Sequence, residues 1–152
     1  MLFIISVILA YLYASFLEWW VHKYILHGLG KKKNNWFDFH WYSHHQKCRK
    51  CGNKDNSYLK NKPFHHSVKK ELIGLATLLA LHFPLFYVSL PFYFTLVICA
   101  GRYFYMHRKS HVNVAWGLKT MPWHWKHHMG RNQDANWGIT TNLWDKILKT
   151  NK

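Results

Sequence analysis

Two long stretches of this 152-residue chain contain no charged residue, although the whole chain carries a formal net charge of +15. Residues 1–17 have none, and in residues 72–101 His82 is the one side chain that ordinarily titrates near neutral pH. A basic composition also suits nucleic-acid binding, but a soluble domain of this size needs no such apolar stretches. We therefore predict one all-α, multi-pass integral membrane domain over residues 1–152, with no nucleic-acid partner.

The apolar segments predict three membrane spans, at about residues 2–21, 71–90 and 91–106. The first apolar run continues directly into Trp19 and Trp20, so we interpret it as an uncleaved anchor and not as a signal peptide. Pro84 should kink the second span, and the turn at 89–91 should begin the third. Both later spans are short, which suits a compact or partly re-entrant hairpin.

The cationic residues give an independent prediction of orientation. All 21 Lys and Arg residues fall within residues 22–70 and 102–152, and the predicted turn at 89–91 has none. By the positive-inside rule these two segments should face the cytoplasm. We expect a bacterial inner membrane or endoplasmic reticulum protein whose basic face also attracts anionic headgroups.

Ten of the thirteen histidines fall into four short groups, all on the predicted cytoplasmic side. Histidines three or four residues apart share one face of a helix, as His40 and His44 would. Neutral imidazole is a ligand for iron, zinc or copper, and one ion takes about four to six ligands. Ten imidazoles therefore predict a site for two metal ions, held by His22, His27, His40, His44, His45, His107, His111, His124, His127 and His128.

Several other residues have both a functional and a simpler interpretation. Glu18 lies four residues before His22 and either accepts a hydrogen bond from its non-ligating nitrogen or sits at the membrane interface. Cys48 and Cys51 either complete a zinc site with His44, His45 or His65 or are reduced cysteines in a loop. His65 and His66 are extra ligands or solvated, and for His82 a hydrogen bond between helices suffices.

The spacing and order of the histidine groups resemble those of the fatty acid hydroxylase superfamily, which includes sterol desaturases and carotenoid hydroxylases. The series reads HX4H, HX3HH, HX3H and HX2HH, with a membrane hairpin between the second and third groups. The segment at 132–138, followed by Trp144 and Asp145, resembles the end pattern of that family. The resemblance covers roughly residues 15–150. The second group has three intervening residues where sterol and fatty-acid members usually have two, which leaves the role of His40 open.

The resemblance implies a non-haem centre of two iron ions, with zinc as a substitute in a purified or inactive form. It implies hydroxylation or desaturation of a lipid, such as a fatty acyl chain, sterol or carotenoid, with O2. The chain shows no fused cytochrome domain, so we expect a separate electron donor, either a b-type cytochrome or a ferredoxin with its reductase. The alternative function is a non-catalytic, zinc-binding or metal-handling membrane protein.

Overall fold

Residues 1–59 and 66–152 are described by a computed structural model, and every regular element in these ranges is helical. The all-α prediction is therefore confirmed for the described part of the chain. We number the α-helices in chain order and name the short π-helical and 3-10 segments by their residues. The helices are α1 (Leu2–Trp20), α2 (Gln46–Lys50), α3 (His66–Leu81), α4 (Leu85–Val88), α5 (Leu90–Val112), α6 (Val114–Thr120), α7 (Pro122–Met129) and α8 (Leu143–Ile147).

Helix α1 is mostly apolar and contains no glycine or proline, and its residues near the N-terminus, such as Phe3 and Ile4, are exposed. It continues into a π-helical segment, Val21–Leu29. At Gly30 an added Cβ would lie 2.7 Å from the carbonyl oxygen of Phe37, so only glycine fits where the chain turns back. Within residues 1–59 and 66–152, one helix, Leu2–Leu29, is long and apolar enough to cross a membrane.

The second and third predicted spans correspond to α3 with α4 and to the first part of α5. The chain leaves α3 just before Pro84, as expected of a residue that cannot continue a helix. His82 Nε2 lies 2.7 Å from the hydroxyl of Tyr13 on α1, which confirms the predicted hydrogen bond between helices. Helix α5 begins with the Ser89 hydroxyl accepting a hydrogen bond from the Phe92 N–H, and it runs past the predicted end at 106. That these two segments cross a membrane remains a prediction.

The C-terminal segment folds back against α1 and is held by one buried carboxylate. Asp145 accepts hydrogen bonds from the backbone N–H groups of Trp137 and Gly138 and from the indole of Trp19. Met106, Met121 and Ile139 form a small buried apolar core, against which Trp116 and Trp123 pack. Most of the largest fully buried side chains are histidines, so imidazoles fill much of the interior where a soluble domain would place hydrocarbon.

Candidate metal centre

The ten predicted metal ligands are all buried, each with 3% or less of its surface exposed. Nine of them form two groups, and within each group all donor atoms lie within 4.8 Å of one another. The second group is joined by His124, whose Nε2 lies 3.1 Å from that of His111. The first cluster comprises His22, His27, His40, His45 and His127. The second cluster comprises His44, His107, His111, His124 and His128.

The π-helical segments explain how the first two sequence groups contribute to these clusters. His22 and His27 lie in Val21–Leu29, and His40 and His45 lie in a second π-helical segment, Phe39–His45. In a π-helix the hydrogen bonds join residues five apart, so such residues lie above one another. His40 and His44 do lie side by side, with ring centroids 5.4 Å apart, but their donor atoms belong to different clusters. His40 joins His45 in the first cluster, and His44 belongs to the second.

Helix α7 contributes ligands to both clusters. His127 belongs to the first cluster, because its Nε2 lies 3.1 Å from that of His27. His128 belongs to the second, with its ring 4.7 Å from that of His111. The rings of His45 and His128 stack at 4.1 Å between their centroids, so the two clusters adjoin. With His124, His127 and His128 at positions i, i+3 and i+4, α7 therefore places side chains in both clusters.

The distances within the first cluster fit a bound ion better than a hydrogen-bond network. The Nε2 atoms of His27, His45 and His127 form a triangle with sides of 3.0, 3.1 and 3.2 Å. One imidazole nitrogen either donates or accepts, so three of them cannot all hydrogen bond to one another. Nitrogens that each lie about 2.1 Å from one ion are separated by roughly 3.0–3.4 Å. The donor atoms are therefore spaced as ligands of a single metal ion.

In the second cluster the buried nitrogens point to the same conclusion. Nε2 of His44, Nε2 of His107 and both ring nitrogens of His128 have no hydrogen-bond partner within the described ranges. Leaving several buried polar atoms unpaired is costly. A metal ion bound through Nε2 would satisfy the lone pairs of His44 and His107, so this donor set also fits a cation.

Burial keeps these imidazoles neutral, which is the form that binds metal. Desolvation is the main cause that lowers the pKa of His40, His45, His124, His127 and His128 well below the ordinary value of about 6.5, and neighbouring histidines lower it further. At neutral pH no proton therefore competes with a metal ion for these five ligands.

The two clusters are oriented by different acceptors on the far side of each ring. In the first, His22 Nδ1 and His127 Nδ1 donate to the backbone carbonyls of Trp137 (2.6 Å) and Ala135 (2.7 Å). In the second, two carboxylates serve this purpose. His44 Nδ1 lies 3.0 Å from Asp55 Oδ2, His107 Nδ1 lies 2.6 Å from Glu71 Oε1, and His111 Nδ1 donates to the carbonyl of Asn53.

The structure corrects the predicted role of Glu18. Its carboxylate accepts hydrogen bonds from the N–H groups of Ile139 and Thr140 and from the Thr140 hydroxyl, so it does not pair with His22. The carbonyl of Trp137 takes the predicted position beside His22. Sequence reasoning missed Asp55 and Glu71, although only six acidic residues exist and each unexplained one was a candidate partner for a histidine.

The cysteine pair does not assemble as a zinc-binding CxxC unit. Cys48 is fully buried, with its Sγ 3.5 Å from His111 Nδ1, while Cys51 is exposed, and both are free thiols. Cys48 does lie with His44 and Asp55 in a group spaced closely enough for a metal, but both of those side chains already pair with each other. His66 is exposed at the start of α3, and His65 lies outside the described residues.

A family model described as fatty acid hydroxylase matches residues 7–150, nearly the whole chain. The chain belongs to the fatty acid hydroxylase family. Comparisons with curated proteins and with solved structures find no match. Membership in this group of membrane-associated oxidoreductases supports an enzyme, and the two histidine clusters are able to bind metal, as expected of a metal-dependent family.

A long apolar cavity of about 620 Å³ lies beside the histidine clusters of this fatty acid hydroxylase family member. It runs between α1, α3 and α5, and its lining includes histidines of both clusters, namely His22, His40 and His107. On α5 the lining extends from His107 back to Leu96, eleven residues or roughly 16 Å of helix. Most of the lining is apolar, so the cavity suits a hydrocarbon chain.

Proposed function

We propose that this protein is a membrane-embedded dimetal oxygenase that hydroxylates or desaturates a lipid with O2. The observation that carries the proposal is the apolar cavity whose lining includes ligands of both histidine clusters. A chain lying in it would bring one carbon of an otherwise unreactive lipid beside the metal site and exclude bulk water from it. A protein that only stores or moves metal has no use for such a cavity.

The ten clustered histidines would hold two iron ions, which supply the activation of O2 needed to attack an unactivated C–H bond. Zinc would fit the same imidazoles but has no redox chemistry. The residues around the ligands have the task of holding the imidazoles in place. The Glu71 carboxylate and the carbonyls of Trp137 and Ala135 fix three rings through Nδ1, which leaves each Nε2 directed inward.

We infer that α1, α3 with α4, and the first part of α5 lie in the bilayer. Large apolar side chains are exposed on all three, among them Ile8, Leu81 and Ile98. The Ser89 and Ser6 hydroxyls lie 3.4 Å apart, so the turn before α5 sits beside the start of α1, as three crossings would require. The histidine clusters and nearly all cations then face the cytoplasm.

The test is lipid analysis of cells that express the protein, grown under 18O2, beside cells that express His127→Ala. Hydroxylation adds one labelled oxygen to a lipid, whereas desaturation removes two hydrogens without label. Either product in the wild type alone supports the proposal. Identical lipid profiles for the wild type and His127→Ala, with the wild-type protein shown to be iron-loaded, would overturn it.

A further inference from the structure

One aromatic side chain connects the first histidine cluster with the protein surface. Trp41 stacks on His45 with 5.3 Å between ring centroids and meets the ring of His27 edge-on at 5.3 Å. Trp41 is partly exposed, whereas both histidines are 1% exposed. Other rings that contact cluster histidines, such as those of Tyr58 and Trp137, are 3–4% exposed. Trp41 is therefore a direct contact path from outside to two metal-binding side chains.

The surface around Trp41 is cationic. The Lys31 ammonium lies 4.6 Å from the centre of the Trp41 ring, and the Lys33 ammonium lies 5.5 Å from that of Tyr42. Tyr42 donates a hydrogen bond to the carbonyl of Lys31, which ties these residues into one patch, and Lys32 beside it is exposed. We call this patch the Trp41 face: Lys31, Lys32, Lys33, Trp41 and Tyr42.

Few acids offset this charge. Of the six acidic residues, Asp55, Glu71 and Asp145 are 9% exposed or less, and Glu18 lines the cavity. Of the remaining two, Asp38 lies 3.8 Å from the Lys70 ammonium, and Asp134 lies 2.5 Å from the Lys31 ammonium. Asp134 is 54% exposed and offsets the charge of Lys31, so the net positive charge of the Trp41 face comes from Lys32 and Lys33, which are both exposed.

We propose that the Trp41 face is the docking surface for an acidic, one-electron carrier protein and that electrons enter toward the histidine clusters through Trp41. This inference rests on the proposed function. Hydroxylation of a C–H bond by O2 places one oxygen atom in the alcohol and releases the other as water, which consumes two electrons and two protons from outside the substrate. Two reduced carriers are each oxidised by one electron per turnover, so each must dock briefly and leave.

Both features of the Trp41 face suit that task. Opposite charges raise the rate of encounter and orient a short-lived complex, while a small, salt-sensitive interface allows release. A π system in contact with His45 and His27 shortens the gap that an electron must cross between a docked carrier and the site. An acidic partner is favoured over an anionic bilayer surface because a bilayer has no electron to deliver at Trp41.

The test uses the iron-loaded protein in nanodiscs of zwitterionic phosphatidylcholine, which has no net charge, with a soluble acidic b-type cytochrome and an acidic ferredoxin as probes. Binding is measured by calorimetry at several salt concentrations, and oxidation of the reduced probe under O2 is followed optically. Lys32→Glu with Lys33→Glu should weaken binding of at least one probe about tenfold at low salt. Lys119→Glu with Lys146→Glu, two exposed lysines outside the face, is the control matched in charge and should bind as the wild type does.

Variants of Trp41 separate electron transfer from docking. Trp41→Leu should bind the probe within about threefold of the wild type but slow its oxidation about tenfold or more, because the π contact with His45 is lost. Trp41→Phe, which keeps an aromatic ring, should recover most of the rate. Equal oxidation rates in Trp41→Leu and the wild type would overturn the role of Trp41.

Two further outcomes separate this proposal from the proposed function. If wild type that is reduced with dithionite, freed of excess dithionite and then mixed with O2 yields no lipid product, the proposed function fails, and the docking surface is judged by binding alone. If wild type shows no salt-sensitive binding of either probe, or if the paired lysine variant loses binding only to phosphatidylserine vesicles, the face contacts membrane or nothing and the inference is overturned.

Discussion

Glu71 Oε1 lies 2.6 Å from Nδ1 of His107, and Glu71 Oε2 accepts a hydrogen bond from the Tyr58 hydroxyl at 2.7 Å. This buried carboxylate orients a ring of the second cluster and makes its Nε2 more basic. His22 and His127 of the first cluster have neutral carbonyl partners instead. The hydrogen-bond acceptors of the two clusters therefore differ, although each cluster contains five imidazoles and Asp134 Oδ1 lies 3.6 Å from His27 Nδ1 of the first.

We predict that Glu71→Gln weakens metal binding at the second cluster about 10–100-fold, because the amide is a poorer acceptor for the His107 N–H. The first cluster should keep its affinity. Competition with a graded series of chelators would resolve the two positions. Asp38→Asn, which removes a carboxylate 3.8 Å from Lys70, serves as the control. A uniform loss at both clusters would show that Glu71 supports the fold and not one metal position.

The cavity predicts that Gly74 sets how long a lipid chain is accepted. Gly74 lines the cavity, and an added Cβ there meets nothing within 4 Å, so a side chain would extend into open space. Gly74→Leu should shift the product profile toward shorter chains and lower turnover of long ones about tenfold or more. Gly101 on α5 also has open space around it but does not line the cavity. Gly101→Leu should therefore leave the profile unchanged, and a matching shift there would contradict the assignment.

Glu18 should act on stability and only indirectly on the metal. It accepts hydrogen bonds from the N–H groups of Ile139 and Thr140, two and three residues beyond the Trp137 carbonyl that holds His22. In Glu18→Ala both N–H groups lose their acceptor, which should lower the free energy of unfolding by about 1–3 kcal/mol for each. Glu18→Gln keeps an acceptor oxygen and should therefore lose less stability than Glu18→Ala. Unfolding in nanodiscs measures both, and equal stability of Glu18→Ala and the wild type would refute the role.

The metal-free protein should lose stability as the pH falls below about 6.5. Burial lowers the pKa of His45, His127 and His128, so these imidazoles stay neutral when folded but bind protons when unfolded. Stability rises with pH wherever the unfolded state binds more protons, by about 1.4 kcal/mol per pH unit for each such group. Denaturant midpoints between pH 7.5 and 5.5 test this. A midpoint that did not fall on acidification would contradict the neutral, buried state of the histidines.

Much of the fold and site followed from sequence. The uncharged stretches predicted the helices on either side of Pro84, and the histidine groups predicted all ten residues that the structure brings together. The sequence did not predict which histidine belongs to which cluster, because an α-helical period pairs His40 with His44. The structure pairs His40 with His45 through a π-helical turn, and no residue type marks such a turn in advance.

Partners distant in sequence were also beyond prediction. The carbonyls of Ala135 and Trp137 hold His127 and His22, but every residue has a carbonyl, so composition gives no sign of which ones will be used. Glu18 was assigned to His22 from its spacing of four residues. Its actual partners lie more than 120 residues away, because Asp145 fastens the C-terminal segment to α1.

The most direct measurement is the number of metal ions per chain in the purified protein, determined by elemental analysis with quantitative amino-acid analysis. The wild type should hold two. His27→Ala in the first cluster and His111→Ala in the second should each reduce the number toward one, while His82→Ala, which lies outside both clusters, should retain two. A single ion in the fully loaded wild type, or no change in the two cluster variants, would contradict two histidine-held metal positions.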